Sequence, residues 1–248
     1  MPAAHAAVKE IDSLINPAYK CVEIPVPLSD SGTSGIISGN KIFTNNETGE
    51  LFMSCGSLVF SLLNYVMDGR AGCELNSSDA FMYIAPVSIF IGHDPEGAFV
   101  KADLFHGVAK TQEFDLVSSL AGNPCKIQFH STIVSKSFLM EPFGAPIPGL
   151  TLRQTKLEMF RTLVMHEHLH LYEIPARGSK NAVEIGGTHC VNPGCTMNAG
   201  EEGNGWVKTQ ARLMRGYPVC DDCKRQLEQL RQIRTAQAFP MVNRGNGR

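Results

Sequence analysis

The sequence predicts an α+β fold in which a strand-rich body leads into one long helix and a small cysteine-bearing lobe follows. Three observations predict it. Short apolar segments punctuated by Gly, Asp and Pro fill the first 140 residues, helix-forming residues dominate 151–174, and four of the eight cysteines follow residue 175. With 43% hydrophobic and 19% charged residues, the chain of 248 residues can bury a core.

The strand-rich body is predicted over residues 18–175, after an N-terminal tail at residues 1–17. Alternating apolar and polar residues predict a first strand at residues 19–26. The segment IISGNKIF then predicts a hairpin that turns at Gly39 and Asn40.

The middle of the body combines one apolar segment with several strands. The segment 51–67 is long and apolar enough for a buried helix, although its β-branched and aromatic residues are also compatible with a strand. Further strands are predicted at residues 81–92, 97–105 and 125–139.

The long helix is predicted over TLRQTKLEMFRTLVMHEHLHLYEI. Thr151 with Gln154 and Thr155 with Glu158 form two possible capping boxes at its start. Pro175 disfavours helical geometry at the residue before it, so the helix should end there.

This helix carries His166, Glu167 and His170 in the pattern H-E-x-x-H. Two imidazoles four residues apart lie on one helix face and can hold one zinc ion, and the glutamate can act on a metal-bound water. At about 100° per residue, Glu167 falls within the apolar face of the helix, which suits a carboxylate beside a cation in a cleft. The alternative is a chance match on a buried helix. His168 lies on the opposite flank and is expected to be structural.

The C-terminal lobe is predicted at residues 176–235, with a helix-like stretch KRQLEQLRQIRTAQA, and a flexible tail at residues 236–248. Two close cysteine pairs mark the lobe, with the spacings Cys-x4-Cys and Cys-x2-Cys. Their residues are Cys190, Cys195, Cys220 and Cys223. This arrangement matches the format of a closed four-thiolate zinc site. Disulfides and free thiols are the alternatives, and the lack of a recognisable signal peptide disfavours disulfides.

The order H-E-x-x-H, His-Cys-x4-Cys-x-Met and Cys-x-x-Cys over residues 165–227 resembles that of the archaemetzincin-like metallopeptidases, a branch of the metzincin zinc proteases. The resemblance implies a metzincin-like mixed β-sheet with an active-site helix. It implies a catalytic zinc ion on His166, His170 and His189, with Glu167 as general base. It also implies a structural zinc ion on the four cysteines, with Met197 in the turn beneath the catalytic metal. The alternative is that Met197 is an ordinary residue of the hydrophobic core.

Some bacterial metzincin-like proteins look similar in a further stretch, Arg, Asn, Val, Glu and then Gly-x-His-Cys. The matching residues here are Arg177, Asn181, Val183, Glu184 and Gly187. Metzincins generally have glycine where this chain has Leu169 and Glu173, and 18 residues separate His170 from His189. A longer return path to the third ligand is therefore expected.

The identity of the third ligand has two candidates. Glu184 would complete a His2Glu site, as in other zinc peptidases. His189 is preferred, because a structural zinc ion on the adjacent Cys190 would anchor it.

The sequence therefore predicts a zinc metalloendopeptidase that acts on a peptide or protein substrate, with Glu167 activating the attacking water. A catalytically inactive zinc-stabilised protein and a nucleic-acid-binding zinc module are the alternatives. The net charge of −2 gives no general attraction to nucleic acid or to an anionic membrane. With neither a signal peptide nor a spanning segment apparent, a cytoplasmic protein is expected.

Overall fold

The computed structural model describes residues 2–16, 43–44, 51–68, 80–86, 88–90, 104–105, 107–117, 124–135, 139, 145–199 and 204–238. The helices of this part are α1 (Pro2–Ile15), α2 (Cys55–Met67), α3 (Leu152–His170), α4 (Asn204–Arg215) and α5 (Asp221–Ala238). The strands are β1 (Phe43–Thr44), β2 (Leu51–Ser54), β3 (Ala80–Ala85), β4 (Ser88–Phe90), β5 (Leu104–Phe105), β6 (Gly107–Val117), β7 (Pro124–Ser135), β8 (Ala182–Glu184) and β9 (Thr188–Cys190). This mixture of helices and small sheets confirms the α+β class.

The strands form three small sheets. The first has the order β1-β2-β4-β5 and contains one parallel pair, β2 with β4. In the second, with the order β3-β7-β6, β3 runs parallel to β7 and β6 runs antiparallel to it, from Gly107 opposite Val134 to Val117 opposite Pro124. The third is the hairpin of β8 and β9. Among the described helices, none is both long and apolar enough to cross a bilayer.

Several predicted elements are confirmed. Residues 51–67 divide into strand β2 and helix α2, so both interpretations of that segment hold in part. The strands predicted at 81–92 and 125–139 correspond to β3, β4 and β7, and the two helices predicted after residue 150 correspond to α3 and α5. The strand predicted at 19–26 and the hairpin at Gly39 and Asn40 lie outside the described residues.

The elements that were not predicted include α1, β6, α4 and the hairpin of β8 and β9. Helix α1 occupies most of the segment that the sequence suggested was a tail, because apolar residues recur along it at helical spacing and four of them are buried. They are Ala4, Ala7, Ile11 and Ile15. Helix α4 exposes Val207, Leu213 and Met214, and the side chains that it buries include Thr209 and Arg212. Its buried positions are therefore not marked by apolar residues, which is the pattern that sequence analysis looks for.

The start of α3 is fixed by the first of the two capping boxes. Thr151 Oγ1 accepts from the Gln154 amide at 3.2 Å, and the Thr151 amide donates to Gln154 Oε1 at 2.8 Å. The second predicted box does not form. Thr155 is instead buried in the first turn of the helix, where its Oγ1 accepts from the Ile147 amide at 2.9 Å.

Helix α1 packs along α3 and binds it through a buried polar contact. The carboxylate of Asp12 accepts from His168 Nε2 at 2.8 Å and from the hydroxyl of Tyr172 at 2.7 Å. His168 is 3% exposed, so this contact satisfies a polar group that has little access to water. His168 therefore joins α3 to α1, as expected for a structural histidine.

Asp12→Ala is expected to lower the free energy of unfolding by about 2–3 kcal/mol, because it leaves the donors of His168 and Tyr172 without their acceptor. Urea unfolding measures this loss. Glu10→Ala is the matched control on the same helix, since its ion pair with Arg161 is about one-third exposed (29% and 30%) and should contribute less than about 1 kcal/mol. Equal losses in the two variants would contradict a special role for Asp12.

Candidate metal centres

Three histidines from two elements meet beside the C-terminal half of α3. His166 and His170 lie one turn apart on the helix, and their Nε2 atoms are 3.2 Å apart. The ring of His189, on β9, lies with its centroid 5.2 Å from that of His166 and 4.8 Å from that of His170. The potential ligand atoms of the three all lie within 4.8 Å of one another. We refer to this group as the histidine centre.

The backbone fixes which nitrogens of the centre are free. His166 Nδ1 lies 2.7 Å from the carbonyl of Thr196, and His189 Nδ1 lies 3.0 Å from the carbonyl of Gly187. A carbonyl oxygen can only accept, so each Nδ1 carries a proton and donates it. The Nε2 atoms of both rings therefore keep a lone pair, which is the arrangement that metal-binding histidines require.

Distances and protonation both fit a zinc ion at the histidine centre. Tetrahedral zinc with Zn–N bonds of about 2.0–2.1 Å places its nitrogens about 3.3 Å apart, close to the separation of His166 and His170. Burial lowers the pKa of His166 well below its usual value and lowers that of His170 to about 4, with the neighbouring imidazoles adding to both effects. Burial also lowers the pKa of His189. The rings are therefore neutral at pH 7, the form that coordinates a metal.

Glu167 follows His166 on α3 and is buried, as its position on the apolar helix face predicted. It is 6% exposed, and burial raises the pKa of its carboxyl from 4.5 to about 8. Its side chain packs against the backbone of Gly107, the first residue of β6. A Cβ atom at residue 107 would lie only 2.4 Å from Glu167 Cγ, so any other residue there would force the Glu167 side chain to move.

Lys208 is the second residue of this neighbourhood that the sequence did not reveal. It lies on α4, and its ammonium donates to the carbonyl of Asn198 at 2.9 Å. Burial raises the pKa of Glu167, and the positive charge of Lys208 opposes this effect by lowering that pKa. The same charge lowers the pKa of the three histidines and so helps to keep them neutral. Neither Gly107 nor Lys208 belongs to a motif, and both are far from Glu167 along the chain.

The helix ends in the geometry that a glycine would normally provide. Glu173 has a φ of 53°, in the left-handed region, where metzincins carry glycine. Its amide donates to the carbonyl of His170 at 3.1 Å, and the amide of Ile174 donates to that of Leu169 at 3.3 Å, which together form a Schellman motif. Leu169 and Ile174 are both buried in the core. The turn is therefore kept, and the longer path lies beyond it, through the hairpin of β8 and β9.

Glu173→Gly is expected to raise the free energy of unfolding by about 0.5–1 kcal/mol. Glycine relieves the strain of the left-handed conformation, which stabilises the folded state. It also increases the conformational entropy of the unfolded chain, which offsets part of that gain. Thermal or urea unfolding measures it. Glu173→Ala is the matched control, because it removes the carboxylate but keeps the Cβ atom, and it should bring no such gain. A glycine variant no more stable than the alanine variant would contradict the strain.

Glu184, the rival third ligand, is not one of the grouped side chains of the histidine centre, although its charge raises the pKa of His189. Its side chain is 50% exposed, its Oε1 accepts from Thr188 Oγ1 at 2.9 Å, and the same oxygen lies 3.6 Å from Arg177 Nε. The structure thus groups His189, and not Glu184, with the two helix histidines. Met197 is fully buried, and its carbonyl accepts from the Cys190 amide at 2.7 Å.

The four cysteines of the lobe form a second group, which we call the thiol centre. All four are buried, and no disulfide joins them: Cys190, Cys195, Cys220 and Cys223. The sulfurs of Cys190 and Cys220 are 3.7 Å apart, and those of Cys195 and Cys223 are 3.8 Å apart. These distances exceed the roughly 2.05 Å of a disulfide, and they match the about 3.8 Å between sulfurs of tetrahedral zinc with Zn–S bonds of about 2.3 Å.

The thiols also interact electrostatically. Hydrogen bonding with Cys190 lowers the pKa of Cys220 and raises that of Cys223, so these groups do not ionise independently. A divalent cation removes this competition by stabilising every thiolate at once. The histidine and thiol centres can therefore each hold a metal ion.

No protein-family model, curated protein or solved structure matches this chain.

The two centres share one framework. His189 and Cys190 are neighbours on β9, so one strand contributes to both groups. Cys195 is followed by Thr196, whose carbonyl accepts from His166. Asn198 closes this turn, because its Nδ2 donates to the Cys190 carbonyl at 2.7 Å. Any movement of the thiol centre would therefore displace the groups that orient the histidines.

Proposed function

We propose that this chain is a zinc-dependent metalloendopeptidase of the metzincin type. In this proposal His166, His170 and His189 hold a catalytic zinc ion, and the thiol centre holds a structural one. The observation that carries it is the convergence of three neutral imidazoles, two of them on the helix that also buries the carboxyl of Glu167. That set of donors with an adjacent carboxylate is what a hydrolytic zinc site requires. The resemblance of the spaced motifs to those of archaemetzincin-like peptidases supports the same conclusion.

The catalytic role of each residue follows from its surroundings. Zinc in the histidine centre would supply a Lewis acid that lowers the pKa of water toward about 7. Glu167 accepts a proton from the attacking water and returns it to the leaving amine. The charge of Lys208 favours the ionised form of Glu167, which the first step needs. Thr196 and Gly187 hold the rings of His166 and His189 in the tautomer that presents Nε2.

The position of β6 supports an extended peptide as the substrate. Among the described strands, β6 is the terminal strand of its sheet, and it begins at Gly107 in contact with Glu167. An extended peptide can add to such an edge through backbone hydrogen bonds, with little dependence on its side chains. A scissile bond presented in this way would lie close to the general base.

The proposal is tested by incubating the zinc-loaded protein with an unfolded protein, such as reduced casein, and identifying the products by mass spectrometry. We expect internal cleavage that stops on addition of a zinc chelator and resumes when zinc is restored. His166→Ala is the control for a contaminating protease, since it should abolish the same products. Absence of cleavage in a protein that holds both metal ions would instead favour a non-catalytic zinc protein.

A further inference from the structure

We propose that Asn181 is a positioning residue of the thiol centre, whose side-chain amide donates to the sulfurs of Cys190 and Cys223 and so stabilises them as metal-bound thiolates. Asn181 Nδ2 lies 3.3 Å from the sulfur of Cys223 and 3.7 Å from that of Cys190. The side chain is buried, at 5% exposure, so these sulfurs are its partners in place of water. The inference rests on the metal assignment of the thiol centre proposed above.

The direction of the amide follows from a chain of hydrogen bonds that begins at the backbone. The Ala176 amide can only donate, and it donates to Gln226 Oε1 at 2.7 Å. The NH2 group of Gln226 therefore faces Asn181, and it donates to Asn181 Oδ1 at 3.1 Å. Ser179 Oγ donates to the same oxygen at 3.0 Å. With its oxygen held by two donors, Asn181 must turn its NH2 group toward the sulfurs.

Donors directed at sulfur favour the thiolate over the thiol. Besides the amide of Asn181, the backbone amide of Cys220 donates to the sulfur of Cys195 at 3.4 Å. Four thiolates around one divalent cation carry a net charge of about −2, and N–H donors spread that charge away from the sulfurs. Asn181 thus makes the sulfurs less nucleophilic and slows the loss of the metal. The hydrogen bonds from Gln226 and Ser179 to Asn181 also connect the segment that follows α3 with helix α5.

Two nearly isosteric variants separate this role from packing. Asn181→Leu removes the donors, and Asn181→Asp replaces them with a carboxylate oxygen that repels the thiolates. Both are compared in full-length protein in which cobalt occupies the thiol centre, by the sulfur-to-cobalt charge-transfer band and by the rate of cobalt release to a chelator. We expect a displaced band in both variants, and release that is about 10- to 100-fold faster, with Asn181→Asp the faster of the two.

Asn198→Leu is the matched control, because the Asn198 amide donates to the backbone carbonyl of Cys190 and not to a sulfur. It should leave the charge-transfer band in place. Gln226→Ala provides a milder test, should the Asn181 variants fail to fold. By freeing the orientation of Asn181 it should displace the band in the same direction by a smaller amount.

Two results would overturn the inference in different ways. An unchanged band, together with release within twofold of the wild type in the Asn181 and Gln226 variants, would show that the amide does not act on the sulfurs, while the metal assignment would stand. Absence of any charge-transfer band in the cobalt-loaded wild type would contradict the metal assignment itself, and the role of Asn181 with it.

Discussion

Glu167→Gln is expected to lower kcat/KM for peptide hydrolysis by about 100- to 10,000-fold while both metal ions stay bound. Glutamine has nearly the same shape, so it fits against Gly107, but it cannot accept a proton from water. Steady-state kinetics with a cleaved peptide, together with metal analysis of the same samples, measures the two effects. Glu184→Gln is the control, and its exposed side chain predicts unchanged activity. Activity retained in Glu167→Gln would remove Glu167 from the mechanism.

The same substitution should change the pH dependence of stability in the metal-free protein. The pKa of Glu167 is about 8 when folded and near its usual 4.5 when unfolded, so between these values the folded state holds the extra proton. The free energy of unfolding of the wild type must therefore fall as the pH rises from about 4.5 to 8, and level off above. The free energy of unfolding of Glu167→Gln lacks this dependence on pH. Relative to the wild type, the variant should therefore become more stable as the pH rises, by a few kcal/mol at pH 8. Urea unfolding at pH 5 and pH 8 measures the difference. Equal slopes would contradict the buried, protonated carboxyl.

The second large effect is expected at the thiol centre. Cys223→Ser should lose not only the structural ion but also the ion of the histidine centre. The binding free energy of structural zinc is about 10–16 kcal/mol in small zinc-binding peptides, and it becomes folding free energy of the surrounding chain. Without it, β9 no longer holds His189, and the turn that carries the Thr196 carbonyl no longer holds His166. His170→Ala should lose only the histidine-bound ion, so the effect is asymmetric.

The different effects of the two variants can be measured in two ways. One is the metal content after gel filtration, and the other is the rate at which a protease cuts the C-terminal lobe. We expect neither ion and rapid cleavage in Cys223→Ser, and one ion with slow cleavage in His170→Ala. A Cys223→Ser protein that binds the histidine-centre ion as tightly as the wild type would show that the two centres are independent.

Local relations were the part of the site that the sequence could predict. The histidines four residues apart on α3 meet because of the helical repeat, and Thr151 and Gln154 cap the helix because they are three residues apart. The cysteine spacings indicated a common centre for the same reason, since short loops limit where each pair can lie. His189 was accessible to prediction through its place next to Cys190.

Contacts that depend on tertiary packing could not be predicted. Gly107 and Glu167 are 60 residues apart, and no local pattern of GVAKTQEF indicates that its first residue supports a carboxylate. Asn181 and Gln226 are 45 residues apart, and their pairing needs both the lobe and helix α5 in place. Glu173 shows the reverse case, in which a residue of poor local propensity adopts the left-handed geometry because burial of Leu169 and Ile174 outweighs the strain.

We propose that the chain builds two separate metal centres, one from histidines and one from thiols. This can be tested by metal analysis of the purified protein and of the double variant His166→Ala, His170→Ala. We expect two zinc ions per chain in the wild type and one in the double variant, with the remaining ion lost when a thiol ligand is also removed. Equal metal content in the wild type and the double variant would contradict it.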